Sequence, residues 1–293
     1  MRPCKLALGT VQFGLPYGVS NRAGQILPAE AAAILDLASA RGIDLLDSAA
    51  AYGTSEEVLG GLGAGSRFRI VSKIPRLPPS DAADFIRASL DGSLQRLGLR
   101  SLDTLLLHHP GDLVHPEWPQ IRAALDEAEA RGATGRWGVS VYTAADIDLA
   151  LEHGAARVIQ LPASAWDQRL LRSGHVARLE QAGCEIHVRS LFLQGLLLMP
   201  TAELATYFAP WKDHHARFHA WAGNLGCSPL ALCLAFGKSV GHFSRLVLGV
   251  TSCRELAEIL AAWETAPDLG PDDFAEWAVD DPAILNPALW KLT

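Results

Sequence analysis

Short apolar runs alternate along this chain with longer stretches in which apolar residues recur at helical spacing. An apolar run of four to eight residues is typical of a strand that is buried on both faces, as in a parallel sheet. The eight runs are Lys5–Gly9, Ile43–Asp47, Arg69–Lys73, Leu102–His108, Gly135–Ser140, Arg157–Pro162, Glu185–Leu191 and Arg245–Val250. The alternation predicts a protein of the α/β class in which a helix follows each strand.

Several of the predicted helices carry recognisable start signals, such as a proline in the first turn or a capping pair. The capping pairs are Thr54 with Glu57, Thr143 with Asp146, and Ser252 with Glu255. The helices are predicted at Ala29–Arg41, Thr54–Gly61, Ser80–Leu97, Pro119–Arg131, Thr143–Gly154, Arg169–Ala182, Pro229–Phe236 and Ser252–Trp263.

Eight strand–helix units without a break in composition predict one closed barrel rather than two domains. The chain has 293 residues, and a (β/α)8 TIM barrel takes about 250 residues as one unit. We therefore predict a single barrel domain over residues 1–293. Two additions are expected, namely an inserted helix at about Glu203–Gly223 between strands seven and eight, and a C-terminal tail over Ala266–Thr293 that could cover one barrel end.

Composition and charge narrow the range of partners and locations. Hydrophobic residues make up 49% of the chain, and the formal net charge is −7 with no basic stripe, so nucleic acid and anionic membranes are not expected as partners. No apolar run has the length of a membrane span, and the segment Met1–Lys5 lacks the features of a signal peptide. The five cysteines, including Cys4, are scattered and form no CxxC motif, which favours reduced thiols in the cytoplasm. The oligomeric state stays open.

Polar residues occur where the predicted strands end, and the C-terminal strand ends form the active site of such a barrel. Asp47 ends the second run and Tyr52 follows five residues later, while Lys73 ends the third run and His108 the fourth. A tyrosine has a pKa of about 10, and a nearby ammonium is expected to lower it. A carboxylate would hold the lysine, and a histidine would orient a substrate oxygen. This set is suited to delivering a proton to an oxygen, which contributes roughly 10²–10⁴ in rate.

With these residues in place, the chain resembles the aldo-keto reductases over nearly its whole length. The matching motifs are Gly42 with Asp47-Ser48-Ala49 and Tyr52-Gly53, Val71-Ser72-Lys73, Asp103 with His108 and Pro110, Trp137-Gly138-Val139-Ser140, Ile159-Gln160-Leu161-Pro162 with Asp167-Gln168-Arg169, Leu193-Gln194-Gly195-Leu196-Leu197, and Leu248-Gly249-Val250-Thr251-Ser252. The resemblance implies reversible hydride transfer between a nicotinamide dinucleotide and an aldehyde or ketone. Tyr52 would be the general acid and base, supported by Asp47, Lys73 and His108.

The resemblance also implies a cofactor site without a metal, with NADP(H) preferred and NAD(H) possible. Ser140 and Gln160 would hold the carboxamide, and the backbone at Leu193-Gln194-Gly195 would lie along the pyrophosphate. The adenosine end would meet the start of the last helix, where backbone amides favour phosphate. The cofactor residues implied in full are Ser140, Gln160, Ser190, Leu193, Gln194, Gly195, Gly249, Thr251, Ser252 and Arg254.

Several positions depart from the family pattern near the cofactor. Val141 replaces an asparagine that often follows the serine of the fifth strand, and Ile259 replaces an asparagine near the adenine. Many members have arginine or lysine two residues after the glycine of the eighth strand, whereas this chain has Thr251, with Arg254 as the nearby cation. An aromatic ring often follows the seventh strand, where this chain has Arg189-Ser190 and then Phe192.

Two functions of different classes remain open from the sequence. The first is a carbonyl reductase, and the alternative is a cofactor-binding regulatory or sensor module of the same fold with little turnover. The partner expected in the first case is a small-molecule carbonyl compound, and Tyr17, His109 and Trp166 are the residues expected to line its pocket. The cluster His214, His215 and His219 is interpreted as a solvated helix face rather than a zinc site, because no carboxylate or cysteine completes it.

Overall fold

The structure is a computed structural model that describes residues 5–21, 23–155 and 157–292. The predictions made for Met1–Cys4, including the Cys4 thiol, lie outside the described residues, as does Thr293 at the end of the tail. Within the described part of the chain, no single helix is long and apolar enough to cross a membrane. One pair of helices, Thr206–Asn224 with Pro229–Ser239, meets the criteria of length and composition together, although it is bent by 86°.

Eight short parallel strands close into a barrel in their order along the chain. They are β1 (Leu6–Gly9), β2 (Leu45–Asp47), β3 (Arg69–Ile74), β4 (Thr104–Leu107), β5 (Trp137–Ser140), β6 (Val158–Pro162), β7 (Glu185–Arg189) and β8 (Arg245–Gly249). The ring closes where β8 pairs with β1, from Leu6 opposite Leu246 to Gly9 opposite Gly249. The predicted (β/α)8 TIM barrel is confirmed, and each predicted run overlaps one strand.

Helices surround the barrel and connect its strands. The α-helices are α1 (Val11–Gly14), α2 (Pro28–Ala40), α3 (Ser55–Gly61), α4 (Ala82–Leu97), α5 (Trp118–Ala130), α6 (Ala144–Glu152), α7 (Arg169–Arg172), α8 (His175–Gln181), α9 (Lys212–Asn224), α10 (Pro229–Ser239), α11 (Cys253–Thr265) and α12 (Pro282–Leu285). Short 3₁₀ segments occur at Ala64–Ser66, Pro110–Val114, Leu193–Leu198, Thr201–Glu203, Thr206–Trp211, Pro271–Trp277 and Pro287–Leu289.

The inside of the barrel contains a small apolar layer with a polar layer above it. The apolar layer consists of Ala7, Leu45, Val71, Leu106, Val158 and Val247. Because successive side chains on a strand point to opposite faces, the residue two positions further along also faces inward. That residue is Asp47 after Leu45, Lys73 after Val71, Gln160 after Val158 and His108 after Leu106. The strand period therefore places these four polar side chains at one mouth of the barrel.

The predicted capping pairs have different outcomes. At α6, Thr143 Oγ1 accepts the Asp146 amide at 3.2 Å and the Asp146 carboxylate accepts the Thr143 amide at 2.8 Å, which confirms the capping box. At α3, the Thr54 side chain does not cap the helix. Its hydroxyl instead accepts a hydrogen bond from Gln25 Nε2 at 2.9 Å. The Thr54 capping box is wrong because the loop after β1 engages that hydroxyl.

One predicted helix is divided in two, and another begins later than predicted. The helix predicted at Arg169–Ala182 is divided into α7 and α8 at Gly174, whose left-handed backbone (φ 77°) ends the first turn of helix. The inserted helix predicted from Glu203 becomes α-helical only at Lys212. The segment before Lys212 is 3₁₀, and it contains Pro210, which has no amide hydrogen for an α-helical bond.

The histidine cluster of α9 (His214, His215 and His219) is not a solvated face, so that interpretation is wrong. His215 is 1% exposed, and its ring nitrogens lie 2.8 Å from Thr201 Oγ1 and 3.0 Å from the Leu196 carbonyl. Among the described residues, no group of three histidine, cysteine or carboxylate side chains is arranged to hold a metal ion. His215 and His219 therefore join α9 to the segment after β7, while His214 Nε2 lies 3.2 Å from the Trp277 carbonyl of the C-terminal tail.

Candidate active site

The turn that carries Tyr52 is held against the end of β1. Tyr52 follows β2 and precedes α3, and the Ser55 hydroxyl donates to the Thr10 carbonyl at 2.9 Å. The Ser55 and Thr10 hydroxyl oxygens also lie 2.8 Å apart. Helix α1 approaches the turn so closely that a Cβ at Gly14 would lie 1.8 Å from the Tyr52 carbonyl oxygen. Glycine at this position therefore allows α1 to fix the turn and the direction of the phenol.

A buried ion pair lies behind Tyr52. Lys73 is 1% exposed, and its Nζ donates to Asp47 Oδ2 at 2.6 Å and to the Ser48 carbonyl at 2.8 Å. The same ammonium lies 3.4 Å from the Tyr52 hydroxyl. The second carboxylate oxygen, Asp47 Oδ1, accepts a hydrogen bond from Gln160 Nε2 at 2.7 Å. These contacts fix the lysine between a carboxylate and a phenol.

The ionisation of this group follows from burial and from the ion pair. Burial by itself would lower the pKa of Lys73, but Asp47 and Tyr52 raise it above its ordinary value, so the ammonium stays charged. Burial raises the pKa of Tyr52; Lys73 lowers it and Asp47 raises it, and the net pKa lies above its ordinary value. The predicted lowering is therefore wrong in its net direction, because burial disfavours the phenolate more than Lys73 stabilises it. The phenol is protonated at neutral pH and can act as an acid.

His108 faces Tyr52 across the mouth of the barrel. The two rings are arranged edge to face, with centroids 5.9 Å apart and planes at 78°. Burial, together with the nearby positive charge of Lys73, lowers the pKa of His108 to about 3. The imidazole is therefore neutral near pH 7, and it can orient a carbonyl oxygen by a hydrogen bond without acting as the main proton source.

A cavity of about 620 Å³ opens above these side chains. It extends from the barrel mouth over the end of β8 to α11. The sequence-predicted site residues that line it are Tyr17, Asp47, Tyr52, His108, Ser140, Gln160, Ser190, Gln194, Gly195, Gly249 and Thr251. The cavity volume is within the range of pockets that bind small molecules and cofactors.

Other predicted residues lie close to the cavity without lining it. Lys73 is behind Asp47, and Leu193 is 1% exposed with its side chain in the core. Ser252 is the N-cap of α11, where its hydroxyl accepts the Glu255 amide. Arg254 is 88% exposed and pairs with Glu258 at 2.8 Å. These four side chains are therefore separated from the cavity by their neighbours.

Two of the three residues predicted to line the substrate pocket are placed elsewhere. Trp166 is fully buried and packs against His214, with ring centroids 4.8 Å apart, so the prediction for Trp166 is wrong. Its position follows from the C-terminal tail, because the Val279 amide donates to the Trp166 carbonyl at 2.8 Å. His109 packs against His108, with centroids 5.3 Å apart, and is absent from the described residues that line the cavity.

The segment after β7 has an unusual backbone where it borders the cavity. Ser190, Leu193, Gln194 and Gly195 all have positive φ angles, of 64°, 46°, 55° and 93°. A left-handed conformation in a residue other than glycine costs on the order of 1–3 kcal/mol and is concentrated at functional sites. A Cβ at Gly195 would lie 2.1 Å from Ser20 Oγ, so glycine lets the loop after β1 approach this segment.

Side chains from these two segments meet beside the cavity and form what we call the β1–β7 clasp, made of Tyr17, Ser20 and Gln194. Gln194 Nε2 donates to the Tyr17 hydroxyl at 2.9 Å, and Ser20 Oγ donates to the Gln194 carbonyl at 3.5 Å. All three residues line the cavity. The clasp therefore links residues 17 and 194, which are far apart in the sequence, across one side of the site.

Arg189 is a site residue to which the sequence assigned no role. It ends β7, lines the cavity and donates from Nη2 to the Val141 carbonyl at 3.1 Å. Its guanidinium carbon lies 4.0 Å from the centroid of the Tyr142 ring. The position at a strand end was visible in the sequence, but the direction of the side chain depends on Tyr142 and Val141, which follow a different strand. The charge of Arg189 favours the phenolate form of Tyr52.

The polar atoms of the cavity are suited to a ligand with several hydrogen-bonding groups. Within the described residues, Gln12 Oε1 and His108 Nδ1 are buried without a hydrogen-bond partner, and both side chains line the cavity. Buried polar atoms without partners in a cavity are expected to meet a ligand or water. Gly9 and Gly249 leave the ends of β1 and β8 without side chains. A nicotinamide dinucleotide fits this combination of length, polarity and accessible backbone.

The fold and the site together define a (β/α)8 barrel protein with a buried Asp47–Lys73 pair beside Tyr52, where a cavity opens at the barrel mouth. A model of the Aldo/keto reductase family matches residues 5–279, and the chain belongs to this family. Membership of this family, together with the relatives described next, supports an oxidoreductase.

Two curated relatives are both named 6-dehydroglucose reductase. The protein from Novosphingobium aromaticivorans is 33% identical over 142 residues, which cover 43% of this chain and 46% of the relative. The protein from Agrobacterium fabrum is 27% identical over 198 residues, which cover 60% of this chain and 65% of the relative. The chain thus matches about half to two thirds of the length of these relatives.

A solved structure shares the fold at low sequence identity. The holo form of an aldo-keto reductase from Bacillus halodurans superposes with a TM-score of 0.77 and covers 94% of this chain and 93% of its own. The two sequences are 19% identical, so this likeness supports the barrel and not a particular activity.

Proposed function

We propose that this protein is a nicotinamide-dependent carbonyl reductase in which Tyr52 is the general acid for reduction and the general base for the reverse reaction. The observation that carries the proposal is the position of Lys73, which contacts both Asp47 and the Tyr52 hydroxyl at the floor of a cavity. A buried ammonium beside a phenol has a clear use in proton delivery. A protein that only bound a ligand would have no need of an acid at this point.

Each side chain of the site has a separate role in this proposal. Tyr52 gives its proton to the substrate oxygen, and the ammonium of Lys73 stabilises the phenolate that remains. Asp47 holds Lys73 in place and is itself fixed by Gln160. Neutral His108 orients the carbonyl oxygen by a hydrogen bond. The bound dinucleotide supplies hydride chemistry, while the protein supplies position and charge.

Residues around the cavity would hold the dinucleotide. Ser140 and Gln160, at the ends of β5 and β6, would meet the carboxamide, although Gln160 also donates to Asp47. The backbone at Gln194-Gly195 and the end of β8 at Gly249 would border the rest of the molecule. The unpartnered Gln12 Oε1 lies in the same region and supports a polar ligand there.

We propose a small sugar-derived aldehyde or ketone as the substrate. The support comes from the two relatives named 6-dehydroglucose reductase and from the hydroxyl and amide groups of the β1–β7 clasp, which are suited to hydrogen bonds with a polyol. We also propose that the protein acts in the cytoplasm on small molecules and has no nucleic-acid or membrane partner, as its acidic charge suggests.

Steady-state turnover on a panel of carbonyl compounds, including 6-dehydroglucose, tests the proposal with NADH and NADPH as cofactors. We expect turnover of at least one sugar-derived carbonyl. Binding of a dinucleotide without turnover on any member of the panel would contradict the reductase and favour a cofactor-sensing module.

A further inference from the structure

The cavity has a second end that lies outside the barrel mouth. Thr251, Glu255, Glu258 and Ile259 line this end, which we call the outer end. The last three belong to α11, a helix of the surrounding ring. A ligand that filled the cavity would contact Tyr52 at the barrel mouth with one end and these residues with the opposite end.

The start of α11 differs from the phosphate site that the sequence predicted. The Thr251 amide donates to Glu255 Oε2 at 2.6 Å, and the Cys253 amide donates to Glu30 Oε1 at 2.6 Å. The Glu255 amide donates a hydrogen bond to Ser252 Oγ at 3.1 Å. A helix start attracts phosphate through amides that have no partner. Here two carboxylates and a hydroxyl engage the amides of Thr251, Cys253 and Glu255, which argues against the predicted phosphate-binding role.

The charges at the outer end are also unfavourable to an additional phosphate. Glu255 and Glu258 line the cavity there, and Arg254 is 88% exposed and pairs with Glu258. Among the described residues, Arg189 is the only arginine or lysine that lines the cavity, and it lies at the barrel mouth near Tyr142. A bound phosphate normally requires a cation, and arginine serves best because it can make two hydrogen bonds.

We infer that Glu255 and Glu258 determine cofactor specificity, and that they make the outer end selective for an adenosine ribose with a free 2′-hydroxyl. The protein therefore binds NAD(H) in preference to NADP(H), the reverse of the preference implied by the family resemblance. A carboxylate accepts a hydrogen bond from a ribose hydroxyl, whereas a 2′-phosphate adds about two negative charges beside two carboxylates. This inference rests on the proposed function, because it assumes that a nicotinamide dinucleotide occupies the cavity.

Isothermal titration calorimetry of the purified protein with NADH and with NADPH tests the inference without relying on turnover. We expect NADH to bind at least about 10-fold more tightly than NADPH, since like charges a few ångströms apart repel measurably even in water. Glu255→Gln and Glu258→Gln keep the size of the side chain and remove its charge. Each is expected to reduce the ratio of the NADPH Kd to the NADH Kd about 3-fold or more, because NADPH binds more tightly.

Glu264→Gln is the matched control, because Glu264 lies on the same helix, is 65% exposed and pairs with Arg41 away from the cavity. The control should leave the ratio unchanged. Equal or tighter binding of NADPH by the unmodified protein would overturn the inference while leaving the reductase proposal intact. A ratio that neither cavity variant alters would overturn the assignment to these carboxylates. If neither dinucleotide binds, both the inference and the proposed function are wrong.

Discussion

Lys73 illustrates how single residues make this site work. An ammonium that is 1% exposed is strongly disfavoured unless opposite charge and hydrogen-bond acceptors surround it. Asp47 and the Ser48 carbonyl provide both, within 2.8 Å. A buried ion pair is by itself weak evidence for stability, since burial costs about as much as the pair returns. Its position 3.4 Å from the Tyr52 hydroxyl is the observation behind the proposed role in proton delivery.

The first prediction at this scale concerns His108. Because burial lowers its pKa to about 3, the imidazole is neutral across the physiological range and should contribute no ionisation between about pH 5 and 8. His108→Gln retains a hydrogen-bonding side chain, so we expect kcat/KM to fall about 10-fold with an unchanged shape of the pH profile. Measurement of kcat/KM against pH for both proteins checks this.

A different result would assign His108 another role. An ionisation near the ordinary pKa of histidine that disappears in His108→Gln would show that the imidazole titrates during turnover, and the burial argument would then fail. His175 begins α8 outside the described lining of the cavity and pairs with Asp148, so His175→Gln provides the matched control.

The convergence of the proposed catalytic residues at one barrel mouth could be predicted from the sequence, but their ionisation could not. Asp47, Lys73 and His108 follow apolar strand residues by two positions, and the strand period alone turns them inward. The net pKa of Tyr52 depends on how deeply the turn is buried by α1, which no local pattern records. The prediction for Trp166 is wrong for a similar reason, because the tail that covers this side chain lies more than a hundred residues later in the chain.

Among the larger elements, the loop after β1 and the segment after β7 enclose one side of the cavity. The contact between Gln194 Nε2 and the Tyr17 hydroxyl joins them, and Leu193 and Gln194 have left-handed backbones at the same place. Strain in two neighbouring residues persists only where surrounding contacts stabilise it. The β1–β7 clasp is therefore expected to control how quickly a bound ligand leaves.

Tyr17→Phe tests this role, since it removes the hydroxyl that accepts from Gln194 and keeps the ring. A hydrogen bond of this kind contributes about 1 kcal/mol, so the dissociation rate of the bound dinucleotide should rise about 3- to 10-fold. Stopped-flow displacement measures this rate. An unchanged rate in a folded Tyr17→Phe protein would show that the clasp does not restrain the ligand.

The arrangement around α11 could not be predicted from its own sequence. The pair Ser252 and Glu255 correctly marked a helix start, and Ser252 does cap the Glu255 amide. The bond from the Cys253 amide to Glu30, however, comes from α2, more than two hundred residues earlier in the chain. Contacts between residues so far apart in the chain depend on the closure of the barrel. The structure is therefore needed to show that carboxylates accept hydrogen bonds from amides at this helix start.

Considered as a whole, the barrel has its candidate active site at one end and an ionic network at the other. Glu185 begins β7, with Oε2 at 2.6 Å from Arg136 Nη1 and Oε1 at 2.9 Å from His187 Nε2. The hydrogen bond with His187 lowers the pKa of Glu185 to about 2, with Arg136 acting in the same direction and burial opposing it. Such a network at the N-terminal strand ends serves stability rather than catalysis.

Glu185→Gln should therefore lower the free energy of unfolding at pH 7 by about 1–3 kcal/mol, because it removes charged hydrogen bonds. The contribution of Glu185 is fully present above the ordinary pKa of 4.5, and it is lost as the pH falls through about 2, where the folded protein takes up the proton. Urea unfolding at several pH values measures the difference. We expect the difference from the unmodified protein to shrink steadily as the pH falls below about 4.5.

Glu276→Gln is a suitable control, since Glu276 forms an ion pair with Arg217 in which both side chains are 64% exposed. Exposed pairs contribute about 0–1 kcal/mol, so this change should have little effect at any pH. A difference for Glu185→Gln that stays constant between neutral and acidic pH would contradict the role of its ionisation.

Turnover by Tyr52→Phe is the most direct test of the central claim, that Tyr52 delivers the proton. The change removes the phenolic hydroxyl and leaves the ring, and Tyr207→Phe is the control, because the Tyr207 hydroxyl donates to the Ala283 carbonyl away from the cavity. We expect Tyr52→Phe to reduce kcat about 10²- to 10⁴-fold on any active carbonyl substrate, with the dinucleotide affinity and the unfolding transition retained. Turnover of Tyr52→Phe close to that of Tyr207→Phe would contradict the proposed mechanism.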